Sequence, residues 1–96
     1  MGKDPGLIFK QISAKAIHRS KQAISVENEN ILTSAHDKTG AYYLFYKDVI
    51  KAFMLEGYTD TRAEKYIAKW IDYDLANVLY EGSYKLLGFY ESEVMI

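Results

Sequence analysis

The chain has 96 residues, of which 49% are hydrophobic and 26% are charged, and it contains no cysteine. A chain of this length forms one small domain, and the lack of cysteine excludes disulfide bonds and thiolate zinc sites. The sequence has no apolar run long enough for a membrane span and no apolar segment behind a basic N-terminus that would indicate a signal peptide. These features predict a folded cytoplasmic protein.

The formal net charge of -1 hides an uneven distribution of charge along the chain. Residues 1–26 carry five basic side chains and one acidic side chain, a balance of +4. Residues 27–96 carry seven basic and twelve acidic side chains, a balance of -5. Because DNA phosphates attract cations and repel carboxylates, any DNA contact must be local or must include the basic N-terminal segment.

The first six residues and the remainder of the chain are expected to differ in order. Pro5 lies among glycines and discourages regular structure, so residues 1–6 are expected to form a flexible lead-in. Residues 7–96 are expected to form the single domain, without an internal repeat or an interdomain linker. At its start, apolar residues at helical spacing predict a helix from Leu7 to about Ile24.

This first predicted helix carries basic side chains that fall mostly outside its apolar stripe. Lys15, Arg19 and Lys21 are therefore candidates for contacts to DNA phosphates. A solvated helix face is the more common explanation of such a charged stripe. The segment gains functional meaning only together with a second DNA-contacting element.

The next segment is expected to form a short strand and a turn. Two asparagines and alternating polarity in VENENILTSA favour a turn followed by a strand at residues 31–34. The sequence HDKTG at residues 36–40 is typical of a turn, with Asp37 in its first position and Gly40 as the left-handed residue that closes it.

The sequence AYYLFY at residues 41–46 fits two structures. It could be the return strand of a hairpin with residues 31–34, or the first turns of a helix. Apolar residues recur beyond it at three- and four-residue spacing, which favours a helix from about Tyr42, with Thr39 near its N-cap. Gly57 is expected to end that helix.

A further helix is predicted to begin at Thr59 or Asp60, either of which can cap it. The helical stripe could continue as far as Gly82, or the helix could end at the polar residues 72–74. In the second case, the sequence NVLYEGSYKLLGFYE forms a small β-hairpin. We predict the second of these structures, in which the helix ends at residues 72–74 and the β-hairpin follows it.

The two helices around Gly57 meet the physical requirements of a helix-turn-helix. Such a motif needs a residue with positive φ at the turn, an apolar residue after it, and a second helix whose outer face can enter the major groove. Gly57 and Tyr58 supply the first two, although an ordinary αα-hairpin with Gly57 as a C-cap explains the same pattern. The exposed positions of the second helix are candidates for DNA contacts: Thr61, Arg62, Lys65 and Lys69.

The segment GYTDTRAEKYI at residues 57–67 resembles the turn and recognition helix of winged helix-turn-helix DNA-binding proteins, including small regulatory and accessory factors of phages and conjugative plasmids. The resemblance implies an α+β, mostly α, single domain with an N-terminal helix, a short strand, a helix-turn-helix and a C-terminal β-hairpin, the wing. It also implies site-specific binding of double-stranded DNA by a homodimer, with Lys85 of the wing as a further contact. Phe53 departs from the family pattern, because a small residue usually precedes the turn glycine by four positions.

Other chemistry has no support in the sequence. It contains no nucleophile motif, phosphate-binding loop or metal-ligand spacing, so we expect no enzymatic activity, cofactor, metal ion or small-molecule substrate. The competing hypothesis is a protein-interaction module, such as a phage- or plasmid-encoded inhibitor or adaptor, that does not bind nucleic acid. The acidic C-terminal segment contains four aromatic residues that either complete the core, which is the more common role, or form the contact surface of such a module: Tyr80, Tyr84, Phe89 and Tyr90.

Overall fold

The computed structural model describes residues 4–21 and 27–90. These residues form a compact α+β fold, mostly helical, in which four helices surround a three-stranded antiparallel sheet. The elements are, in chain order, α1 (Pro5–Lys21), α2 (Glu27–Thr39), β1 (Tyr42–Phe45), α3 (Tyr46–Leu55), α4 (Asp60–Asp72), β2 (Ala76–Glu81) and β3 (Tyr84–Phe89). The α+β class and the helical majority agree with the prediction.

The last strand, β3, lies at the centre of the sheet. It pairs antiparallel with β1, with Tyr42 opposite Phe89, and with β2, with Ala76 opposite the same Phe89. The β2–β3 hairpin turns at Gly82, whose φ of 59° lies in the left-handed region that glycine adopts without a steric penalty. The predicted hairpin is therefore present, and α4 ends before it.

The sheet separates two apolar layers, because successive side chains of a strand point to opposite faces. One face, with Leu44 and Leu87, packs against α1, α3 and α4. The other face, with Tyr43 and Leu86, packs against Leu32 of α2 and its neighbours. Helix α2 thus covers a sheet face that the other three helices leave unoccupied.

A series of hydrogen bonds beneath α2 joins α2, β1 and β2. The Thr39 hydroxyl donates to the carbonyl of Ala35 (3.1 Å) and lies 3.0 Å from the Tyr43 hydroxyl, which accepts from Asn77 Nδ2 (3.0 Å). The Tyr43 ring crosses β3 at Gly88. A Cβ atom on residue 88 would lie 2.8 Å from Tyr43 Cζ and 2.5 Å from Asn77 Oδ1, so only glycine fits there.

The strand predicted at residues 31–34 and the turn predicted at residues 36–40 are wrong, because α2 continues through both segments to Thr39. Leu32 and Ala35 are three residues apart and fully buried, which is helical spacing against the sheet. Gly40 does adopt the left-handed conformation, with φ of 84°, but it ends a helix. Thr39 is not an N-cap; its hydroxyl accepts from the N–H of Ala41 (3.2 Å).

The helix predicted to start at Tyr42 is also corrected. Residues Tyr42–Phe45 form β1, and α3 begins only at Tyr46. The alternative of a return strand was right for these residues, but their partner is β3 and not residues 31–34. Three of the four side chains in β1 are buried, since both faces of the sheet are covered.

The flexible lead-in predicted for residues 1–6 is wrong for Pro5 and Gly6, which are the first residues of α1. The Asp4 carboxylate accepts from the backbone N–H of Leu7 (2.9 Å) and caps the helix, and proline suits the first helical position because it has no N–H to satisfy. Residues 1–3, and residues 22–24 at the end of the predicted first helix, lie outside the described residues.

Replacing Gly88 with alanine tests the crossing of Tyr43 over β3. We expect Gly88→Ala to lower the free energy of unfolding by about 2–3 kcal/mol, because the added methyl group overpacks a site bounded by a buried ring. Chemical denaturation monitored by circular dichroism measures the change. Gly6→Ala is the control, and it should leave stability unchanged or raise it, since alanine favours a helix. Equal stability of Gly88→Ala and the wild type would contradict the packing described here.

Candidate nucleic-acid interface

The turn between α3 and α4 is closed by backbone hydrogen bonds that converge on the last residues of α3. The N–H of Gly57 donates to the carbonyl of Met54 (3.0 Å), and the N–H of Tyr58 donates to that of Phe53 (3.2 Å). Gly57 has φ of 93°, a value that side chains disfavour. The predicted end of the helix at Gly57 is confirmed, and the reversal brings α4 back against α3.

The start of α4 is fixed by side-chain caps. Thr59 has an extended backbone, and its hydroxyl accepts from the N–H of Arg62 (3.2 Å), as an N-cap residue does. The Asp60 carboxylate accepts from the N–H of Thr61 (2.7 Å). The predicted start at Thr59 or Asp60 is therefore confirmed, and the first turn of α4 has a defined direction.

Phe53 occupies the crossing of α3 and α4. It is fully buried, and its ring centroid lies 5.4 Å from that of Tyr58, 6.0 Å from that of Tyr66 and 5.4 Å from that of Trp70. Offset and edge-to-face arrangements of this kind are the favoured geometries of aromatic pairs. An aromatic cluster therefore holds the two helices together at the position where a small residue was expected.

The outer face of α4 carries the four residues predicted to contact DNA. Ala63, Ile67 and Trp70 are buried on the inner face, which leaves the opposite face in solvent. Thr61, Arg62, Lys65 and Lys69 are exposed on it, together with Ala68 and Asp72. The structure thus brings all four predicted residues onto one accessible helix surface.

Two of these cations lie over tyrosine rings. The Arg62 guanidinium carbon is 5.0 Å from the ring centroid of Tyr58, and Lys69 Nζ is 5.8 Å from that of Tyr66. Such cation–π contacts contribute about 0.5–1 kcal/mol at exposed sites. Arg62, Lys65 and Lys69 thus form a basic row along one edge of the outer face. The contacts with the tyrosine rings restrict the orientations of Arg62 and Lys69.

The other edge of α4 carries Asp60 and Glu64, whereas Asp72, seven residues after Lys65, shares the face of the cations. The three exposed carboxylates balance the three cations of the same helix. Burial raises the pKa of the Tyr46 phenol above its ordinary value, and the charge of Glu64 and the nearby Tyr80 raise it further. This places Glu64 on the side of α4 that faces the start of α3 and the hairpin.

Lys85 lies in the hairpin, as predicted, but it does not extend from the tip. Its Nζ atom lies 3.9 Å from the ring centroid of Tyr46. Beside it is an open cleft of about 390 Å³ between the hairpin tip and the start of α3, which we call the wing cleft. The wing cleft is lined by Phe45, Tyr46, Lys47, Ser83, Tyr84 and Lys85.

The candidate residues of α1 occupy a different part of the surface. Lys15 is exposed and borders a groove of about 280 Å³, whose other wall contains Asp48, Lys51 and Leu55 of α3. Arg19 and Lys21 lie in the last turns of α1, and their side chains are outside the described part of the structure. Lys15 is therefore grouped with α3 and not with the outer face of α4.

Sequence reasoning did not predict the wing cleft, and it missed Phe45, Tyr46 and Lys47 as candidate functional residues. Phe45 and Lys47 meet Tyr84 only because β1 pairs with β3 and ends where α3 begins. No local pattern indicates that meeting. The only signal in the sequence was the density of aromatic residues around positions 42–46 and 80–90.

Comparisons with protein-family models, with curated proteins and with solved structures found no match to this chain. Across residues 4–21 and 27–90, no helix combines the length and the apolar character needed to cross a membrane. The same residues contain no group of three or more histidine, aspartate or glutamate side chains placed to hold a metal ion. Functional inference therefore depends on the surface of α4 and its surroundings.

The Tyr46 phenol reports whether Glu64 faces the hairpin. The pKa of Tyr46 is higher in the folded chain than in the unfolded chain, so folding favours the neutral phenol. This contribution to stability is fully present below the unfolded pKa, and it is lost as the pH rises through the folded pKa. We expect Glu64→Gln to lower the pKa of Tyr46, which stays above the ordinary value because burial remains. NMR titration of ring-labelled tyrosine measures it. An unchanged pKa would place the Glu64 carboxylate away from Tyr46.

Proposed function

We propose that this chain is a non-enzymatic, site-specific double-stranded DNA-binding protein of the winged helix-turn-helix kind. It acts in the cytoplasm as a small regulatory or accessory factor, of the sort that phages and conjugative plasmids encode. The observation that carries the proposal is the outer face of α4, where Arg62, Lys65 and Lys69 form an exposed row on a helix held by its inner face.

The order of elements supports this proposal. A helix, the short strand β1, the helix pair α3–α4 and the β2–β3 hairpin follow one another as the resemblance implies, with α2 as an additional helix before β1. The central position of β3 brings the hairpin against the same layer as α4. A helix and a hairpin on one side of the domain can contact a major groove and the adjoining backbone together.

The side chains on α4 have distinct expected roles. Arg62 is suited to a guanine edge, because a guanidinium donates two parallel hydrogen bonds to O6 and N7. Lys65 and Lys69 are suited to phosphates, which lysine binds as a point charge. Thr61, in the first turn of α4, supplies a polar contact to phosphate or base.

The charge balance favours a dimer. The three cations of α4 are matched by three carboxylates, so one copy can neutralise few phosphates. Two copies on a two-part site double the number of contacts that the cations of α4 can make. We therefore propose a homodimer as the form that binds DNA.

A protein-binding module is the second candidate, and the end of α3 favours it. Leu55 is 82% exposed and Met54 is 52% exposed, side by side next to the groove that Lys15 borders. Exposed apolar side chains beside a groove are typical of protein contacts. A module of this kind would show no affinity for duplex DNA at low salt, which separates it from the first candidate.

Substitutions on α4 test the proposed function. Binding of a fluorescent duplex library built from genomic fragments is measured by polarization at two salt concentrations. We expect Arg62→Ala to weaken specific binding about tenfold, through the loss of a base contact, and Lys65→Ala to reduce the salt slope by about one.

Lys38→Ala is the matched control, because it also removes one positive charge, but from the last turn of α2 and not from α4. Its exposed ion pair with Glu81 (2.7 Å) contributes little to stability. The control should bind as the wild type does. Equal losses for Lys38→Ala and Lys65→Ala would mean that DNA contacts the chain through overall charge and not through α4.

A further inference from the structure

The wing cleft is an open concavity with the volume of a small-ligand site. Its volume of about 390 Å³ lies within the range of 300–1,000 Å³ that is usual for ligand pockets. It lies where β1 ends at Phe45, opposite Leu86, so that Tyr84 and Lys85 of β3 pair with β2 alone. The concavity therefore results from the topology and not from a loose surface loop.

The walls of the wing cleft are aromatic. The rings of Phe45 and Tyr84 pack at 5.5 Å between centroids, and Tyr46 forms the next part of the wall. Tyr84 is 36% exposed, whereas Phe45 and Tyr46 are half-buried. Nucleobases bind single-strand-binding proteins by stacking on accessible aromatic side chains, with little sequence preference.

The same cleft contains two cations. Lys47 is exposed in the first turn of α3, and Lys85 is held over the ring of Tyr46 with its ammonium at the cleft. Ser83 adds a hydroxyl at the hairpin turn. Aromatic faces for a base and cations for a phosphate are together the chemistry that recognises a nucleotide.

We propose that the wing cleft binds an unpaired nucleotide of a DNA strand whose duplex part is bound by α4. Bases within a duplex are stacked on each other and cannot present a face to an aromatic side chain, so the cleft selects a frayed end, a tail or a junction. The inference rests on the proposed function and makes it more specific: the preferred substrate is a duplex joined to a single strand.

Fluorescence polarization with matched DNA probes tests this proposal on the full chain. One probe is a blunt duplex, and the other is the same duplex with an unpaired thymine tail. We expect the tail to tighten binding about tenfold, as one stacked base does. Tyr84→Ala and Lys47→Ala should each abolish that gain and leave the affinity for the blunt duplex unchanged.

The matched controls are Tyr73→Ala and Lys51→Ala, which remove the same side chains from exposed positions outside the wing cleft. Both should retain the gain from the tail. Lys47 is exposed on α3, so its removal tests the cleft even if Tyr84→Ala fails to fold. A gain that persists in Lys47→Ala, or that is lost equally in the controls, overturns the assignment of the cleft.

Two further outcomes separate this inference from the proposed function. Tight binding of the blunt duplex without any gain from the tail overturns the inference and leaves the proposed function intact. Binding of the tailed probe alone, with the gain lost in Lys47→Ala, supports the cleft and contradicts duplex recognition by α4.

Competition with free thymidine monophosphate tests whether the cleft needs a DNA strand. If the free nucleotide, at the same concentration as the tailed probe, displaces the tail, the cleft is a site for free nucleotides and the proposal is overturned.

Discussion

The passage of the Tyr43 ring over Gly88 is the contact on which the rest of the fold depends. Residue 88 belongs to the central strand, and any side chain there would collide with the ring or with Asn77. Because the ring can lie flat across β3, its hydroxyl reaches both Thr39 at the end of α2 and Asn77 in β2. One residue of β1 thereby aligns α2, β2 and β3. The hairpin as a result keeps a fixed position in the layer that also contains α3 and α4.

The parts of the fold that follow from local chemistry could be predicted from the sequence. Gly57 supplies a left-handed turn, Thr59 caps the helix after it, and Gly82 closes the hairpin, so each signal lies within a few residues of its effect. The segment before α3 could not be predicted in the same way. The short strand β1 is defined only by its pairing with β3, which comes much later in the chain, and without that partner its apolar residues fit a helix equally well. The residues of α2 were similarly ambiguous, because their helical stripe has meaning only against the second face of the sheet.

In the candidate site, too, the features set by local sequence were predictable and the contacts between distant segments were not. The outer face of α4 follows from the 3.6-residue period, and Thr61, Arg62, Lys65 and Lys69 are exposed where the pattern placed them. Contacts between elements were not predictable: Lys85 over Tyr46, Glu64 near the same phenol, and the wing cleft beside them. These contacts change the electrostatic picture of the site. The basic row occupies one edge of α4 and Glu64 the other, so the cations of α4 are separated from the aromatic residues and lysines of the wing cleft by a carboxylate.

The central claim is that DNA contacts the outer face of α4. Backbone amide NMR of the isotopically labelled chain, recorded as duplex DNA is added at low salt, tests that claim most directly, because it reports every contacted element in one experiment. The account predicts that the largest shifts fall within Asp60–Asp72, with a second group at the hairpin turn around Gly82 and Ser83, and that Glu27–Thr39 is unaffected. Shifts concentrated at Met54 and Leu55, or on α2, or the absence of any shift, would contradict it.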